Sequence, residues 1–443
     1  MEYTYWLMGR ASRTGFTVCS RLTGDVAPET VSRVLRLIQR RHPLCAVSIR
    51  PDDRYGAVFT ECAASPIPLL VEQMPPPELS SIVWDTPLLH AFGKERDALS
   101  GIGPEPLVRC RLLKHAPDDT TMLLTFHHSI ADAVSAIHLT FEIIDAIDRL
   151  NTGTPVPAFT ASDVGPLERH IAGKHHGVSA MMKMMLHSNA VNLTRLLPWY
   201  VHIPADRKTW PDERAEQFVL SVLDEAATAG IIRSARARKC TVHAAVCAAQ
   251  LIALKDQYPD KKSVGTHLLS LVDLRSRFET PLTKNTVNLL ISMVETSHRI
   301  RRGASFWDLA RDVNIKVVNR LNSGFPFYYF PCMTKNIHAS YTFWRNGVSS
   351  ARRLVRLGQC TRPMVLSVSN VGRIDTTTGG KTVNVRDMFF TLPLSTSGLF
   401  GSAICTFNNR MYLNFSYAYP SVATERAVRI VKSTVDTLKL ACG

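Results

Sequence analysis

Hydrophobic residues along the chain follow two spacings, one typical of strands and one typical of helices. Met122 to Phe126 form a short apolar run, as expected for a buried strand, and residues 106–113 precede it as a second strand. From Asp132 to Leu150 the apolar positions recur at helical spacing instead, with an acid at the start, where the helix dipole favours negative charge. The sequence therefore predicts an antiparallel strand pair followed by a long helix.

The same two spacings predict mixed strands and helices at both ends of the chain. Near the start we expect a strand over Tyr5–Arg21, a helix that begins at Pro28 and ends before Pro43, and strands over 44–50 and 55–60. The apolar stripe predicted for this helix consists of Val31, Val34, Leu35 and Ile38. Residues 63–103 are rich in proline and are expected to be mostly irregular. After residue 216 the predicted strands cover 218–223, 264–274, 288–295, 365–368, 383–390, 401–407 and 410–417, and the predicted helices cover 224–238, 242–255, 305–318 and 424–438. Thr241 is predicted to cap the helix over 242–255.

The length and a change in composition predict two halves. A chain of 443 residues exceeds what one hydrophobic core usually spans, and residues 151–212 differ in character from both flanks. We predict an N-terminal subdomain over 1–160, a linker over 161–215 and a C-terminal subdomain over 216–443. The Met-rich residues 181–186 of the linker are interpreted as a helix docked on the core, with a membrane-facing amphipathic helix as the alternative.

Charge and cysteine usage restrict the partners and the compartment. A net charge of +15 suits nucleic acid, an anionic membrane surface, or an acidic substrate or carrier, and no nucleic-acid motif accompanies it. The ten cysteines include no Cys-x-x-Cys pair, which argues against a structural zinc site or a redox motif. No apolar run of transmembrane length and no signal-peptide pattern are evident, so a cytoplasmic location is predicted.

Two adjacent histidines, His127 and His128, follow the apolar run and precede Asp132. Neighbouring residues of a strand point to opposite faces, so a metal site shared by the two histidines is disfavoured, and the spacing differs from that of a helix-borne zinc motif. No Gly-x-Ser-x-Gly elbow of a serine hydrolase occurs. A single histidine acting as general base remains, because imidazole titrates near neutrality. From spacing alone, a packing or surface role for the histidine pair is the favoured interpretation.

The segment from His127 to Asp132 resembles the His-His-x-x-x-Asp-Gly signature of the chloramphenicol-acetyltransferase-like acyltransferase superfamily. Ala133 stands where that signature has glycine, and the Asp-Phe-Gly-Trp-Gly motif of the plant BAHD branch is missing. The chain is most similar to stand-alone polyketide-associated acyltransferases and to condensation domains. Other segments resemble family segments in the same order, namely 40–44, 106–112, 240–245, 272–275 with Asn288, and 369–372.

The resemblance implies a fold and a set of site residues. The fold class would be α/β (α+β), with two chloramphenicol-acetyltransferase-like subdomains, each a mixed sheet flanked by helices, and the active site in a tunnel between them. His128 would be the catalytic base and His127 a supporting, mainly structural residue. Asp132 would pair with an arginine from the second half, for which Arg275 is the candidate, and the pair would hold the halves in register.

Asn370 and Gly372 complete the set of supporting residues. Asn370 would orient the acceptor or donate a hydrogen bond to the oxyanion of a tetrahedral intermediate, and Gly372 would permit close approach of the backbone. A purely turn-forming role for Asn370 is an equal alternative.

The implied reaction is direct acyl transfer in a ternary complex, in natural-product or lipid biosynthesis. The donor would be an acyl thioester, either acyl-CoA or an acyl-carrier protein bearing acyl-phosphopantetheine, and the acceptor a small-molecule hydroxyl. No bound cofactor or metal is expected. The alternatives are amide formation, as in condensation domains, and a catalytically degenerate binding or scaffold protein. The basic residues Arg345, Arg352, Arg353 and Arg356 are interpreted as a solvated helix face, with contact to donor phosphates as the alternative.

Overall fold

A five-stranded sheet carries the two histidines at the end of its central strand. The computed structural model describes residues 14–52, 56–62, 64–79, 81–99, 103–158, 193–194, 196–210, 213–283, 286–328, 366–375, 380–394 and 398–442, with residues 165, 170, 171, 179, 182, 183 and 186. Strand β7 (Asp119–His127) pairs antiparallel with β6 (Val108–Ala116) and with β1 (Gly15–Gly24). The predicted antiparallel pair is therefore confirmed.

Two outer strands and two helices complete this first half. Strand β4 (Leu69–Gln73) runs parallel to β6, and β12 (Val383–Phe390) runs antiparallel to β1, which gives the order β12-β1-β7-β6-β4. Helices α1 (Pro28–Arg41) and α3 (Ala133–Asn151) pack against each other beside the sheet. A separate hairpin consists of β2 (Val47–Asp52) and β3 (Gly56–Glu61).

The apolar stripe predicted for α1 faces the core. Its members Val31, Val34, Leu35 and Ile38 are all buried, and the helix ends at Arg41, before Pro43, as the proline requires. The chain just after the helix is fastened to α3, because the Nε2 atom of His42 lies 3.0 Å from Oε2 of Glu142.

A seven-stranded mixed sheet forms the second half. Its order is β10-β9-β11-β13-β14-β8-β5, with β11 parallel to both neighbours and all other neighbours antiparallel. The strands are β5 (Ile82–Trp84), β8 (Ala215–Leu223), β9 (Ser263–Asp273), β10 (Ile291–Arg301), β11 (Leu366–Arg373), β13 (Phe400–Phe407) and β14 (Arg410–Tyr419). The helices packed with it are α2 (Pro87–Ala98), α4 (Glu225–Ala237), α5 (Val242–Asp256), α6 (Phe306–Asn322) and α7 (Thr424–Cys442).

At its central strand β13, the second sheet is covered on both faces. Cys405 and Phe407 of β13 belong to the core of the first half, whereas Ile404, just before Cys405, belongs to the core under α5 and α7. Successive strand residues point to opposite faces, and every residue of β13 is buried, so this strand is covered on both faces. The two halves therefore pack directly on each other. A mixed α/β fold of two sheet-containing halves was predicted, and it is confirmed.

The two sheets exchange strands, which the sequence did not predict. Strand β12 comes from the C-terminal part of the chain but joins the first sheet, and β5 comes from the N-terminal part but joins the second. A buried ion pair between Arg96 of α2 and Glu216 of β8 also joins the N-terminal part of the chain to the C-terminal part. Each sheet thus contains strands from both the N-terminal and the C-terminal part of the chain. The subdomain boundaries at 160 and 215 stay a prediction.

The prediction that residues 63–103 are mostly irregular was wrong. This segment contains β4, β5 and α2, and the side chain of Thr86 caps α2 by accepting a hydrogen bond from the Leu89 amide. Pro87 occupies the first turn of the helix, where its missing amide proton is no disadvantage, and Leu88 and Phe92 are buried. Proline here begins a helix rather than breaking one.

Candidate active site

The strand β7 ends at His127, and His128 lies in the turn that follows. Both side chains are buried, but they contact different groups. His127 is held by two hydroxyls, with its Nε2 atom 3.0 Å from Oγ1 of Thr14 and its Nδ1 atom 2.7 Å from Oγ of Ser129. Burial, with a smaller contribution from the neighbouring histidine, lowers the pKa of His127 to about 4. His127 is therefore a neutral, hydrogen-bonded residue of the core.

A contact with a backbone carbonyl defines the tautomer of His128. Its Nδ1 atom lies 2.9 Å from the carbonyl oxygen of Ala131, and only a protonated Nδ1 can donate to that acceptor. In the neutral ring, Nε2 then carries the lone pair. The ring packs against Phe16 with 4.8 Å between centroids, and burial lowers the pKa of His128 although the Ala131 carbonyl and Asp132 oppose the shift. These features suit a base that is neutral at physiological pH.

Asp132 joins the start of α3 to the second half of the molecule. Its carboxylate caps the helix by accepting from the Ser135 amide at 2.8 Å. The two oxygens also accept from Nη1 and Nη2 of Arg275, each at 3.0 Å, and one accepts from the Leu290 amide at 2.7 Å. The predicted pairing of Asp132 with Arg275 is present in the structure as a fully buried, two-pronged ion pair.

Arg275 lies in a short 3-10 helix, Arg275–Arg277, just after β9. Its Nη1 atom donates to Oδ1 of Asp273 at 2.9 Å in addition to Asp132. Burial alone would lower the pKa of Arg275, but the two carboxylates outweigh it and raise the pKa. The guanidinium therefore stays charged between the halves, where its two Nη atoms face the bidentate carboxylate of Asp132.

Ser135 is a site residue that the sequence analysis missed. Its hydroxyl accepts from Nη2 of Arg275 at 2.6 Å and from the Asn288 amide at 3.1 Å, and it donates toward the Asn288 carbonyl at 2.7 Å. The Asp132 amide donates to that same carbonyl at 3.3 Å. The signal in the sequence is a serine three residues after a helix-capping aspartate, which places its hydroxyl beside the cap.

Asn370 and Gly372 lie at the end of β11. The Oδ1 atom of Asn370 accepts from the Gly372 amide at 2.8 Å, and Gly372 has φ +77°, which a residue with a side chain rarely adopts. This contact is the turn-forming role that the sequence analysis left open, and the catalytic role of Asn370 stays a prediction. Because β11 runs parallel to β9, with Ser369 opposite Leu271, Asn370 and Asp273 lie at the same edge of the sheet.

The sequence also led to predictions about a basic segment, metal ions and membrane spans. Arg345, Arg352, Arg353 and Arg356 lie outside the residues that the structure describes. Within the described ranges, no group of three or more His, Cys, Asp or Glu side chains is arranged to hold a metal ion. The helices in those ranges include none that is long and apolar enough to cross a bilayer.

The chain shares its fold with a solved acetyltransferase, a polyketide synthase associated protein and condensation domains. Trichothecene 15-O-acetyltransferase TRI3 from Fusarium sporotrichioides matches with a TM-score of 0.73 at 12% identity, over 99% of this chain and 94% of that one. Polyketide synthase associated protein 5 from Mycobacterium tuberculosis gives a TM-score of 0.64 at 12% identity, over 98% and 96%. The first condensation domain of the CDA synthetase gives 0.69 at 13% identity, over 100% and 94%.

The sequence itself matches one family model. Residues 213–417 match the C-terminal part of phthiocerol/phthiodiolone dimycocerosyl transferase, whereas curated protein sequences gave no significant match. Fold, histidine turn and family match together fit the chloramphenicol-acetyltransferase-like superfamily of acyltransferases and condensation domains. The resemblance predicted from the sequence is confirmed.

Proposed function

We propose that this protein is an acyltransferase that moves an acyl group from a thioester donor to an acceptor hydroxyl. The single observation that carries the proposal is His128, a buried imidazole whose Nδ1 proton is bound to the Ala131 carbonyl, so that Nε2 is the basic nitrogen. The family match over residues 213–417 and the acyltransferases among the structural neighbours support the same reaction class.

The proposed step is a direct transfer. Nε2 of His128 takes the proton of the acceptor hydroxyl as the oxygen attacks the thioester carbonyl, which becomes a tetrahedral oxyanion. The oxyanion then collapses, the carbon–sulfur bond breaks, and the departing thiolate takes the proton from the imidazolium. The products are an ester and a free thiol, and His128 returns to its starting state.

In this proposal Asp132 and Arg275 act as positioning residues. Asp132 fixes the start of α3, and Arg275 ties it to the end of β9. In the sequence, the turn that carries His128 lies between the end of β7 and Asp132. A base must be held within hydrogen-bond reach of the proton it removes. Rigid structure on both sides of the turn, β7 before it and the ion pair after it, therefore favours catalysis.

The net charge of +15 supports a donor that bears phosphates. Coenzyme A and the phosphopantetheine arm of a carrier protein both meet this description, and both present the acyl group as a thioester. We propose one of these two as co-substrate and a small-molecule alcohol as acceptor.

Release of thiol from acyl-CoA and acyl-carrier donors, with a panel of acceptor alcohols, tests the proposal. His128→Ala should lower the rate by roughly 10²–10⁴-fold, because the general base is lost. The matched control is His90→Ala on the surface of α2, which should leave the rate unchanged. Undiminished turnover by His128→Ala would contradict the mechanism.

A second candidate function is amide formation, favoured by the likeness to a condensation domain at a TM-score of 0.69. The same base would then take a proton from an acceptor amine. Amine acceptors in the same assay distinguish the two, since turnover with amines alone would favour condensation. No turnover with any donor and acceptor would favour a binding or scaffold role.

A further inference from the structure

Three leucines project from a short turn on the surface of the second half. Leu193, Leu196 and Leu197 are 65%, 72% and 39% exposed, an unusual degree for large apolar side chains so close together. They belong to the leucine turn, defined here as Leu193, Thr194 and residues 196–199. An apolar cluster of this kind indicates a surface that contacts something other than water.

The leucine turn is fastened at both ends to strand β9. Near its start, Oγ1 of Thr194 lies 2.8 Å from Nε2 of His267. At its end the Gly265 amide donates to the Trp199 carbonyl at 2.7 Å, and the Trp199 ring lies directly against Gly265. A Cβ atom at position 265 would come within 2.0 Å of that ring, so only glycine fits there. The leucines therefore project from a turn whose position is fixed by contacts with β9.

Five cations lie at the same end of the sheet. Two contact the turn directly, since Nζ of Lys261 donates to the Pro198 carbonyl at 3.4 Å and the Arg299 guanidinium lies 5.7 Å from the centre of the Trp199 ring. Among the ion pairs of the described residues none includes any of the five, and the adjacent acid is Asp260. The five are Lys261, Lys262, Arg299, Arg301 and Arg302.

We infer that the leucine turn and its cations form a docking surface for an anionic phospholipid membrane. Apolar side chains that enter the headgroup region beside cations that meet lipid phosphates are the two contributions that hold peripheral proteins on bilayers. A second copy meeting the same surface would bring five cations against five, which opposes association. Nucleic acid would use the cations but leave the leucines in water.

The docking surface lies far from the candidate active site. Strand β9 runs from Ser263 beside the cations to Asp273 beside Arg275, a span of about 33 Å for its length. Contact with lipid at one end of β9 therefore leaves the opposite end accessible. The inference is independent of the proposed reaction.

Co-sedimentation with vesicles tests the surface. The whole protein should sediment with vesicles of phosphatidylcholine and phosphatidylserine in equal parts, less with phosphatidylcholine alone, and less at high salt. The double variant Leu193→Ser/Leu196→Ser should lower the partition coefficient roughly tenfold or more, because two leucines no longer enter the bilayer. Lys262→Gln/Arg301→Gln should lower it about fivefold for each charge.

Matched substitutions elsewhere provide the controls. Leu440→Ser, at a leucine that is 85% exposed on α7, and Arg236→Gln on α4 should leave sedimentation unchanged. The inference is overturned if the parent does not sediment with the mixed vesicles, or if both double variants bind like the parent. A change in the mass of the protein in solution by light scattering, with unchanged vesicle binding, would assign the surface to a second copy instead.

Discussion

At the scale of single residues, His127 and His128 show how burial gives two neighbours different roles. Both have a lowered pKa, yet His127 is enclosed by two hydroxyls and His128 has its Nδ1 proton on a backbone carbonyl. The hydroxyl pair uses both nitrogens of His127, so that ring serves packing. Only His128 has the arrangement that a general base needs.

The buried, neutral His127 predicts a loss of stability at acidic pH. Its pKa is about 4 in the folded protein and 6.5 in a solvated reference, so between these values only the unfolded chain binds the proton. Stability should fall as the pH drops from 6.5 to 4, by up to roughly 3 kcal/mol from this residue. Denaturant unfolding at a series of pH values measures the slope.

The variant His127→Gln removes this titration, and its slope over that pH range should be smaller than that of the parent. His90→Gln, at an exposed position, serves as control and should keep the parental slope. If the stability of His127→Gln depends on pH as steeply as that of the parent, His127 is not the residue that binds this proton on unfolding.

At the scale of elements, the start of α3 is the junction on which the site depends. One carboxylate, Asp132, caps the helix, pairs with Arg275 and accepts from the Leu290 amide. Asp132, Ser135 and Arg275 are joined by hydrogen bonds in one buried network. In such networks, loss of one partner leaves the others uncompensated.

Substitution of Arg275 should therefore be strongly destabilising. Arg275→Ala strands the Asp132 charge and should lower the free energy of unfolding by about 3–5 kcal/mol, measured by denaturant or thermal unfolding. Arg277→Ala, two residues away and exposed, should change it by less than about 0.5 kcal/mol.

A double variant separates charge from packing at this junction. Arg275→Met with Asp132→Asn removes both charges and should recover part of the stability lost in Arg275→Ala. A fully stable Arg275→Ala protein would refute the structural role of the pair.

The elements also show what the sequence could and could not predict. The stripe of α1, the cap of α5 by Thr241 and the β6–β7 pair depend on local patterns, and all three are present. Arg275 was found through a family resemblance, since nothing local links it to Asp132. Ser135 was missed because its role depends on contacts with Asn288 and Arg275, which are far away in the sequence.

At the scale of the whole molecule, the exchange of β5 and β12 makes the two halves interdependent. The segment that enters β12 is held by Asp148 near the end of α3, whose Oδ1 atom accepts from the Thr382 amide at 2.6 Å and the Val383 amide at 3.1 Å. Burial alone would raise the pKa of Asp148, but these hydrogen bonds lower it. The strand exchange is thus fastened by a charged acceptor.

Loss of that acceptor should loosen the exchanged strand. Asp148→Ala leaves the Thr382 and Val383 amides without their partner and should cost about 1–3 kcal/mol of stability. Hydrogen exchange of the β12 amides should become faster, while that of β14 changes less. Asp145→Ala, one turn earlier and half-exposed, is the control. Unchanged exchange in β12 would show that Asp148 does not hold the strand.

The pairing of β1 with β12 also has a consequence for biosynthesis. Val18 pairs with Phe390, so the ribosome must make most of the protein before β1 can meet its outer partner. At typical bacterial and eukaryotic elongation rates this delay lasts roughly 20–70 s. During that time β1 would be an unpaired edge strand of a nascent chain, a template for aggregation. Chaperone supply during translation, rather than the stability of the finished fold, should therefore limit the yield of this protein in a heterologous host.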